Sequence, residues 1–178
     1  MRFLSLILLL SILVVATQTA FAQTSSAALP YQVVEIEKFT VSDGVEFPPN
    51  DLEELMGYLV LNFNNSRRFD QVFLSTDAAT SSAPTRRVKI SGEVTKYSKG
   101  NRPARYLVGF GAGRTKLVAD VKVRDAETGQ LLMEQKVDGH VYGGLFGGGT
   151  DQAKGGLSSE IIKTMTKKGI ASKTRNSK

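Results

Sequence analysis

The sequence has no cysteine, no tryptophan and a single histidine in 178 residues. Without cysteine the chain cannot form a disulfide, a thiolate metal site or a cysteine nucleophile. With one histidine, His140, a metal or acid–base site would need carboxylates gathered from distant parts of the chain. No spacing of serine, threonine or carboxylate residues assembles a triad or a carboxylate pair. We therefore predict no catalytic residues, no metal and no cofactor, and expect His140 to be a surface residue on the same strand face as Asp138.

Long apolar runs are missing after the first residues of the chain. Residues 3–16 are apolar, follow Arg2 and precede an Ala-x-Ala pattern that ends at Ala22. This arrangement is typical of a secretory signal peptide that is cleaved before Gln23. The apolar run is shorter than the roughly 20 residues that a membrane-spanning helix needs. The sequence thus predicts a signal peptide over residues 1–22 and a periplasmic or secreted location.

Hydrophobic periodicity predicts two helices and about five strands in the rest of the chain. Alternation with a period of two predicts strands, and apolar residues three and four positions apart predict amphipathic helices. The predicted strands lie within residues 31–39, 70–75, 86–97, 114–125 and 130–142. Runs of neighbouring strands with two helices indicate an α+β fold with a mostly antiparallel sheet and both helices on one face.

Local chemistry predicts several details of these elements. Asn50 is expected to cap the first helix, with Glu53 at the third helical position. Glu35 is expected on the solvent face of the first strand, which the alternation makes half-buried. Asp125 and Gly129 bound a predicted hairpin turn, because aspartate accepts backbone N–H groups and glycine adopts positive φ.

The predicted domain organisation is simple. A flexible lead over residues 23–30 precedes one α+β domain over residues 31–169, and a disordered basic tail covers residues 170–178.

Glycine and arginine residues between positions 92 and 129 carry a family resemblance. The residues are Gly92, Arg105, Gly109, Phe110, Gly111, Ala112, Gly113, Asp125, Thr128 and Gly129. This pattern resembles the bacterial family named domain of unknown function 4410 (DUF4410), with the similarity densest between Gly92 and Gly129. The resemblance implies an exported envelope protein without an assigned activity. Some members look like lipoproteins, but this chain has no cysteine that could be acylated.

The glycine run Gly109-x-Gly111-x-Gly113 does not fit a dinucleotide-binding motif, because its spacing is wrong and a strand follows it instead of a helix. We interpret these glycines, with Gly92 and Gly129, as structural positions where the backbone bends or approaches a neighbour closely. The alternative is an exposed apolar patch around residues 106–110 that contacts a membrane or a second copy. A second glycine-rich stretch over residues 142–149 lacks the Gly-Lys-Ser/Thr of a phosphate-binding loop.

Charge is distributed unevenly along the chain. Residues 86–116 carry nine basic side chains and one acidic one, whereas residues 35–54 carry seven acidic side chains and one basic one. In one interpretation, the opposite charges of the two regions compensate each other on the surface of one fold. The alternative is that the basic region forms a loop that binds an anionic lipid or an acidic partner.

These observations favour a non-enzymatic cell-envelope protein that acts as a binding or assembly module, peripheral to the outer membrane. We predict that it contacts an envelope protein or an anionic membrane surface and no nucleic acid. The predicted contact residues are Arg102, Arg105, Tyr106, Leu107, Phe110 and Arg114. The alternatives are a homo-oligomer that packs through its glycine-rich stretches and an enzyme acting on envelope polymers.

Overall fold

The computed structural model describes residues 30–76, 86–99, 115–139 and 150–173. In these residues the chain forms six strands and two helices, which confirms the α+β class. In chain order the elements are β1 (Val33–Ile36), β2 (Thr40–Val41), α1 (Pro49–Ser66), β3 (Gln71–Leu74), β4 (Arg87–Ser98), β5 (Lys116–Asp125), β6 (Leu131–Asp138) and α2 (Thr150–Lys167). The predicted signal peptide, with Ala22 and Gln23 at its cleavage site, lies outside the described residues.

The six strands form one mixed sheet in the order β3-β1-β4-β5-β6, with β2 pairing with β4 beyond the end of β1. The long pairings, β4 with β5 and β5 with β6, are antiparallel as predicted. The prediction of about five strands missed parallel pairing, since β1 runs parallel to both β3 and β4. Helix α1 carries the chain back between β1 and β3, and such a helical crossover is what parallel neighbours require.

Strand β1 is an internal strand of the sheet and is fully buried, which corrects the expectation that Glu35 faces solvent. All four residues of β1 are buried, because β3 and β4 flank the strand on its two edges. The Glu35 carboxylate lies 3.2 Å from the Lys89 ammonium and 3.7 Å from the Arg87 guanidinium. It also accepts a hydrogen bond of 3.0 Å from the Ser75 hydroxyl. A carboxylate can be buried here because cations and a donor compensate for its lost hydration.

Strands β5 and β6 are joined by the turn that the sequence predicts. The Asp125 carboxylate accepts hydrogen bonds of 2.9 Å from the Glu127 N–H and 2.8 Å from the Thr128 N–H. Gly129 follows with a φ of 70°, a value that glycine adopts without steric cost.

The apolar faces of both helices and one face of the sheet form a single core. Helix α1 buries Leu55, Met56, Leu59 and Phe63. Helix α2 buries an apolar stripe of Ala153, Leu157, Ile161, Ile162 and Met165. These residues cluster with the inward side chains of β1, β4, β5 and β6. Within the described ranges, no helix combines the length and the apolar character needed to cross a bilayer.

The start of the first helix differs from the prediction in detail. Helix α1 begins at Pro49 and has no side-chain cap, so the predicted capping by Asn50 is wrong. Proline suits the first helical position because its φ is already helical and its missing N–H would have no partner there.

The first residues of the predicted disordered tail pack against the domain. Ile170 and Ala171 are buried, and the Arg68 guanidinium donates hydrogen bonds to the carbonyls of Ser172 and Lys173. The Tyr31 N–H donates to the Ile170 carbonyl at 3.0 Å. Residues 170–173 therefore belong to the domain, because they cover the core beside the start of β1, and residues 174–178 lie outside the described part.

Candidate functional site

Both glycine-rich stretches join the described fold at the same end of the sheet. We call this the glycine end and define it by the residues that flank the two stretches: Ser98, Lys116, Gly139 and Thr150. Ser98 pairs with Lys116 in the β4–β5 ladder. The Gly139 N–H donates a 2.8 Å hydrogen bond to the carbonyl of Leu117. The Tyr97 hydroxyl lies 3.4 Å from the Thr150 hydroxyl, which brings the start of α2 to the same place.

Gly139 allows the end of β6 to approach helix α2 closely. A Cβ atom at this position would lie 2.3 Å from the carbonyl oxygen of Ala153. That distance is far inside van der Waals contact, and the obstacle is backbone of a buried helix that cannot rotate away. Only glycine therefore permits this packing of strand against helix.

A buried ion cluster fixes the two helices to each other below the glycine end. Lys154 of α2 has no solvent exposure. Its ammonium donates hydrogen bonds of 2.7 Å to Asp51 and 2.5 Å to Glu54, both in the first turns of α1. The Tyr97 hydroxyl donates a 3.3 Å hydrogen bond to the second oxygen of Asp51. The cluster thus joins α1, α2 and the end of β4.

The electrostatics of this cluster keep Lys154 charged. Desolvation by burial lowers the pKa of the Lys154 ammonium, but the hydrogen bonds that it donates to Asp51 and Glu54 and the negative charges of these carboxylates raise it more. The net pKa lies above the ordinary lysine value of 10.5. Burial also raises the pKa of Tyr97, so its hydroxyl stays protonated. A protonated, fully paired lysine is neither a nucleophile nor a general base, and we interpret the cluster as a structural clamp.

A second polar cluster lies at the opposite end of the sheet. The Tyr31 hydroxyl donates a 2.7 Å hydrogen bond to Asp125, and the Arg86 guanidinium lies 4.2 Å from the centre of the Tyr31 ring. The N–H of Thr128, the Tyr31 hydroxyl and the N–H of Glu127 together lower the pKa of Asp125 to about 2. This cluster ties the start of the domain to the β5–β6 turn.

The solvent face of the sheet carries a groove of about 500 Å³ lined by residues of both charges. Two of its cations are paired in the structure: Lys122 lies 3.3 Å from Glu134, and Lys136 lies 3.7 Å from Asp120. Among the described residues, no group of three or more histidine, aspartate and glutamate side chains is placed to hold a metal ion.

The residues that the sequence singled out fall mostly outside the described ranges. These are the predicted contact residues Arg102, Arg105, Tyr106, Leu107, Phe110 and Arg114, the glycines Gly109, Gly111 and Gly113, and His140. Gly92 is described, and a Cβ atom there would lie 2.3 Å from a ring atom of Phe39. The Phe39 ring therefore packs directly over the Gly92 backbone.

Sequence reasoning missed Lys154 and its partners. Its spacing could have indicated its burial, because Lys154 lies three residues before Leu157 and seven before Ile161, on the apolar stripe of α2. A lysine on such a stripe needs a buried counter-charge, and the acidic first turn of α1 supplies it.

Comparisons with known proteins agree with this fold. Residues 59–144 match the family model described as domain of unknown function (DUF4410). Protein XCC0632 from Xanthomonas campestris, of the DUF330 family, superposes with a TM-score of 0.52 at 11% identity, over 80% of this chain and 89% of that one. The PelC dodecamer from Paraburkholderia phytofirmans gives a TM-score of 0.51 at 11% identity, over 75% of this chain and 87% of that one. At such low identity these likenesses show a shared fold. No curated protein matches the chain.

Proposed function

We propose that this chain, which matches the DUF4410 family model over residues 59–144, is a non-catalytic module of the bacterial cell envelope that binds its partner through the glycine end. The observation that carries the proposal is the convergence of both glycine-rich stretches on one end of a rigid scaffold. Lys154 and Gly139 fix that scaffold, since they lock α2 against α1 and against β6.

The charge of the glycine end supports an anionic partner. The described residues around it include three exposed lysines, Lys96, Lys99 and Lys116. The segment that joins Lys99 to Lys116 adds Arg102, Arg105 and Arg114 and contains no acidic residue. Basic side chains near an anionic membrane contribute about 1 kcal/mol each. An anionic membrane or an acidic envelope protein could bind such a segment, which combines lysine and arginine with the apolar residues Tyr106, Leu107 and Phe110.

The chemistry of the described residues supports a binding role over catalysis. The buried lysine is protonated and paired, and Glu134 and Asp120 on the sheet face are paired with lysines of neighbouring strands. The envelope location follows from the predicted signal peptide over residues 1–22.

Membrane contact can be tested by sedimenting the mature protein with vesicles of anionic and of zwitterionic lipid. We expect binding to the anionic vesicles that weakens as salt rises, because the attraction is screened. The variant Arg105→Glu/Phe110→Asp should lose this binding. A matched control, Lys38→Glu/Leu61→Asp, makes the same changes in charge and polarity at exposed positions away from the glycine end and should bind as the wild type does.

Two outcomes would overturn parts of the proposal. If the wild-type protein fails to sediment with anionic vesicles, the partner is not the lipid surface. A second comparison uses pull-down from the protein's own envelope fraction by the wild type and by the Arg105→Glu/Phe110→Asp variant. If the wild type also fails to bind vesicles and the two proteins capture the same envelope proteins, the glycine end is not a binding surface.

A second candidate is a homo-oligomer that packs through the glycine-rich stretches. The observation that favours it is the shared fold with PelC of Paraburkholderia phytofirmans, which is described as a dodecamer. Light scattering over a concentration series distinguishes this candidate, since a monomeric mass throughout would contradict it.

A further inference from the structure

Strand β6 forms one edge of the sheet and is exposed along its middle. It is eight residues long and contains no proline. Glu134, Gln135 and Lys136 are all exposed, and among the described residues no strand pairs with the outer edge of β6. A free edge of this length presents a row of N–H and C=O groups on which another strand can pair.

The register shows which backbone groups of β6 face outward. Gly139 donates its N–H to the carbonyl of Leu117, so these two residues form a hydrogen-bonded pair. Because such pairs alternate along an antiparallel ladder, Gln135 and Val121 also form one, and the backbone groups of Gln135 point toward β5. The backbone groups of Glu134 and Lys136 therefore point away from the sheet.

The sequence of β6 is complementary to itself about Gln135. A two-fold axis through Gln135 would place two copies of β6 antiparallel, with Glu134 of each copy opposite Lys136 of the other. These are the residues whose N–H and C=O groups face outward, so each such pair can form both backbone hydrogen bonds of an antiparallel ladder. The same register sets Met133 opposite Val137 of the second copy on the face that carries the core.

We propose that two copies of this chain pair edge to edge through β6 about a two-fold axis at Gln135, which joins their sheets into one. The occupant of this edge is a second copy because the charges match: carboxylate meets ammonium at both symmetric positions. Within each copy Lys122 already lies 3.3 Å from Glu134, and Asp120 lies 3.7 Å from Lys136. Pairing would extend each of these ion pairs into a row of four alternating charges across the joined sheets. This interface is distinct from the glycine end and does not rest on the function proposed for it.

Charge reversal gives the first test. The variants Glu134→Lys and Lys136→Glu each create two like-charge pairs across the axis, whereas an equimolar mixture restores two opposite-charge pairs. Cross-strand pairs contribute about 0.2–1 kcal/mol each, so we expect each variant alone to associate about tenfold more weakly than wild type. The mixture should recover wild-type association as a heterodimer. Sedimentation equilibrium measures the masses, and Glu46→Lys and Lys38→Glu serve as controls with the same charge changes at exposed loop positions.

The absence of native cysteine permits a second test of the register. Across the proposed axis Gln135 faces itself in a non-hydrogen-bonded pair, in which Cα atoms lie about 4.5 Å apart. That spacing lies within the range of about 4.4–6.8 Å that disulfides span. We expect Gln135→Cys to form a covalent dimer on mild oxidation, while Lys38→Cys, at an exposed position outside β6, forms no covalent link between the two copies.

The expected and contrary results separate cleanly. A dimer that both single variants weaken, that their mixture restores and that Gln135→Cys traps supports the proposal. A wild-type protein that is monomeric at all concentrations, or a dimer that neither charge variant weakens, would overturn it. Exposed ion pairs within one copy contribute at most about 1 kcal/mol to stability, so we expect every variant to remain folded. A cooperative melting curve for each variant checks this.

Discussion

The ammonium nitrogen of Lys154 lies 2.7 Å from Oδ1 of Asp51, although the two residues are 103 positions apart in the chain. Lys154 is inaccessible to solvent, whereas Glu54, its other partner, is more than half exposed. A single buried cation thus joins the two helices, and both of its carboxylate partners are more exposed than the cation is. This asymmetry determines which substitutions the fold should tolerate.

Removal of the carboxylates should cost more stability than removal of the lysine. The variant Asp51→Asn/Glu54→Gln leaves a buried ammonium without counter-charge, and we expect the free energy of unfolding to fall by about 3 kcal/mol. Lys154→Met replaces the ion with an apolar side chain of similar volume and should change it by less than about 1.5 kcal/mol. Urea unfolding at pH 7 measures both. Equal losses in the two variants would show that the cluster contributes through packing and not through its charge.

The same cluster should make stability fall at alkaline pH. Because the folded-state pKa of Lys154 lies above 10.5, its contribution is complete below pH 10.5 and is lost as pH rises through the folded-state value. We expect the wild type to lose stability relative to Lys154→Met in this range. Urea unfolding of both proteins at pH 8, 10 and 11 tests the prediction. Tyr31 and Tyr97, whose pKa values are also raised, titrate in both proteins. Because the charge of Lys154 lowers the pKa of Tyr97, the difference between the two proteins reports on Lys154 together with its effect on Tyr97.

Asp125 should produce a separate dependence at acid pH. Its pKa is lowered from 3.8 to about 2, so its contribution is present above pH 3.8 and is lost as pH falls toward 2. In Asp125→Asn the free energy of unfolding should change less between pH 5 and pH 2 than in the wild type. The exposed loop residue Asp43 provides the control, since Asp43→Asn should keep the wild-type profile. A wild-type slope in Asp125→Asn would contradict the assignment.

Two glycine-to-alanine substitutions should change the free energy of unfolding in opposite directions. At Gly92 the added methyl group would meet the Phe39 ring at 2.3 Å, and overpacking of this kind costs about 1–3 kcal/mol. At Gly57, in the exposed face of α1, nothing lies within 4 Å of the added atom. There alanine should stabilise the helix by about 0.5–1 kcal/mol. Thermal unfolding compares the two, and the double variant Gly92→Ala/Phe39→Leu should regain part of the loss.

The elements with strong local patterns were predictable. The stripe of α2 repeats every three to four residues, and the alternation of β4 and β5 repeats every two, so each of these elements carries its own signal. The turn at Asp125 was predictable for the same reason, because a carboxylate and N–H groups two and three residues away form it.

The first strand shows where such reasoning ends. Its alternation of apolar residues and glutamates is typical of an edge or one-faced strand, yet β1 lies between two parallel neighbours. The lost hydration of the buried Glu35 carboxylate is compensated by Arg87, Lys89 and Ser75. All three residues are at least 40 positions away from Glu35 in the chain. Their spacing gives no signal that periodicity can detect.

The α+β class, the helices, the antiparallel pairing and the likeness to the DUF4410 family could be predicted from the chain alone, because each depends on residues close together in sequence. Three features became visible only in the folded domain: the parallel pairing of β1, the burial of Lys154 between two carboxylates, and the arrival of the residues that flank both glycine-rich stretches at one end of the sheet. These features depend on long-range contacts, in which burial removes water, so a distant neighbour determines whether a charge or a glycine can be accommodated.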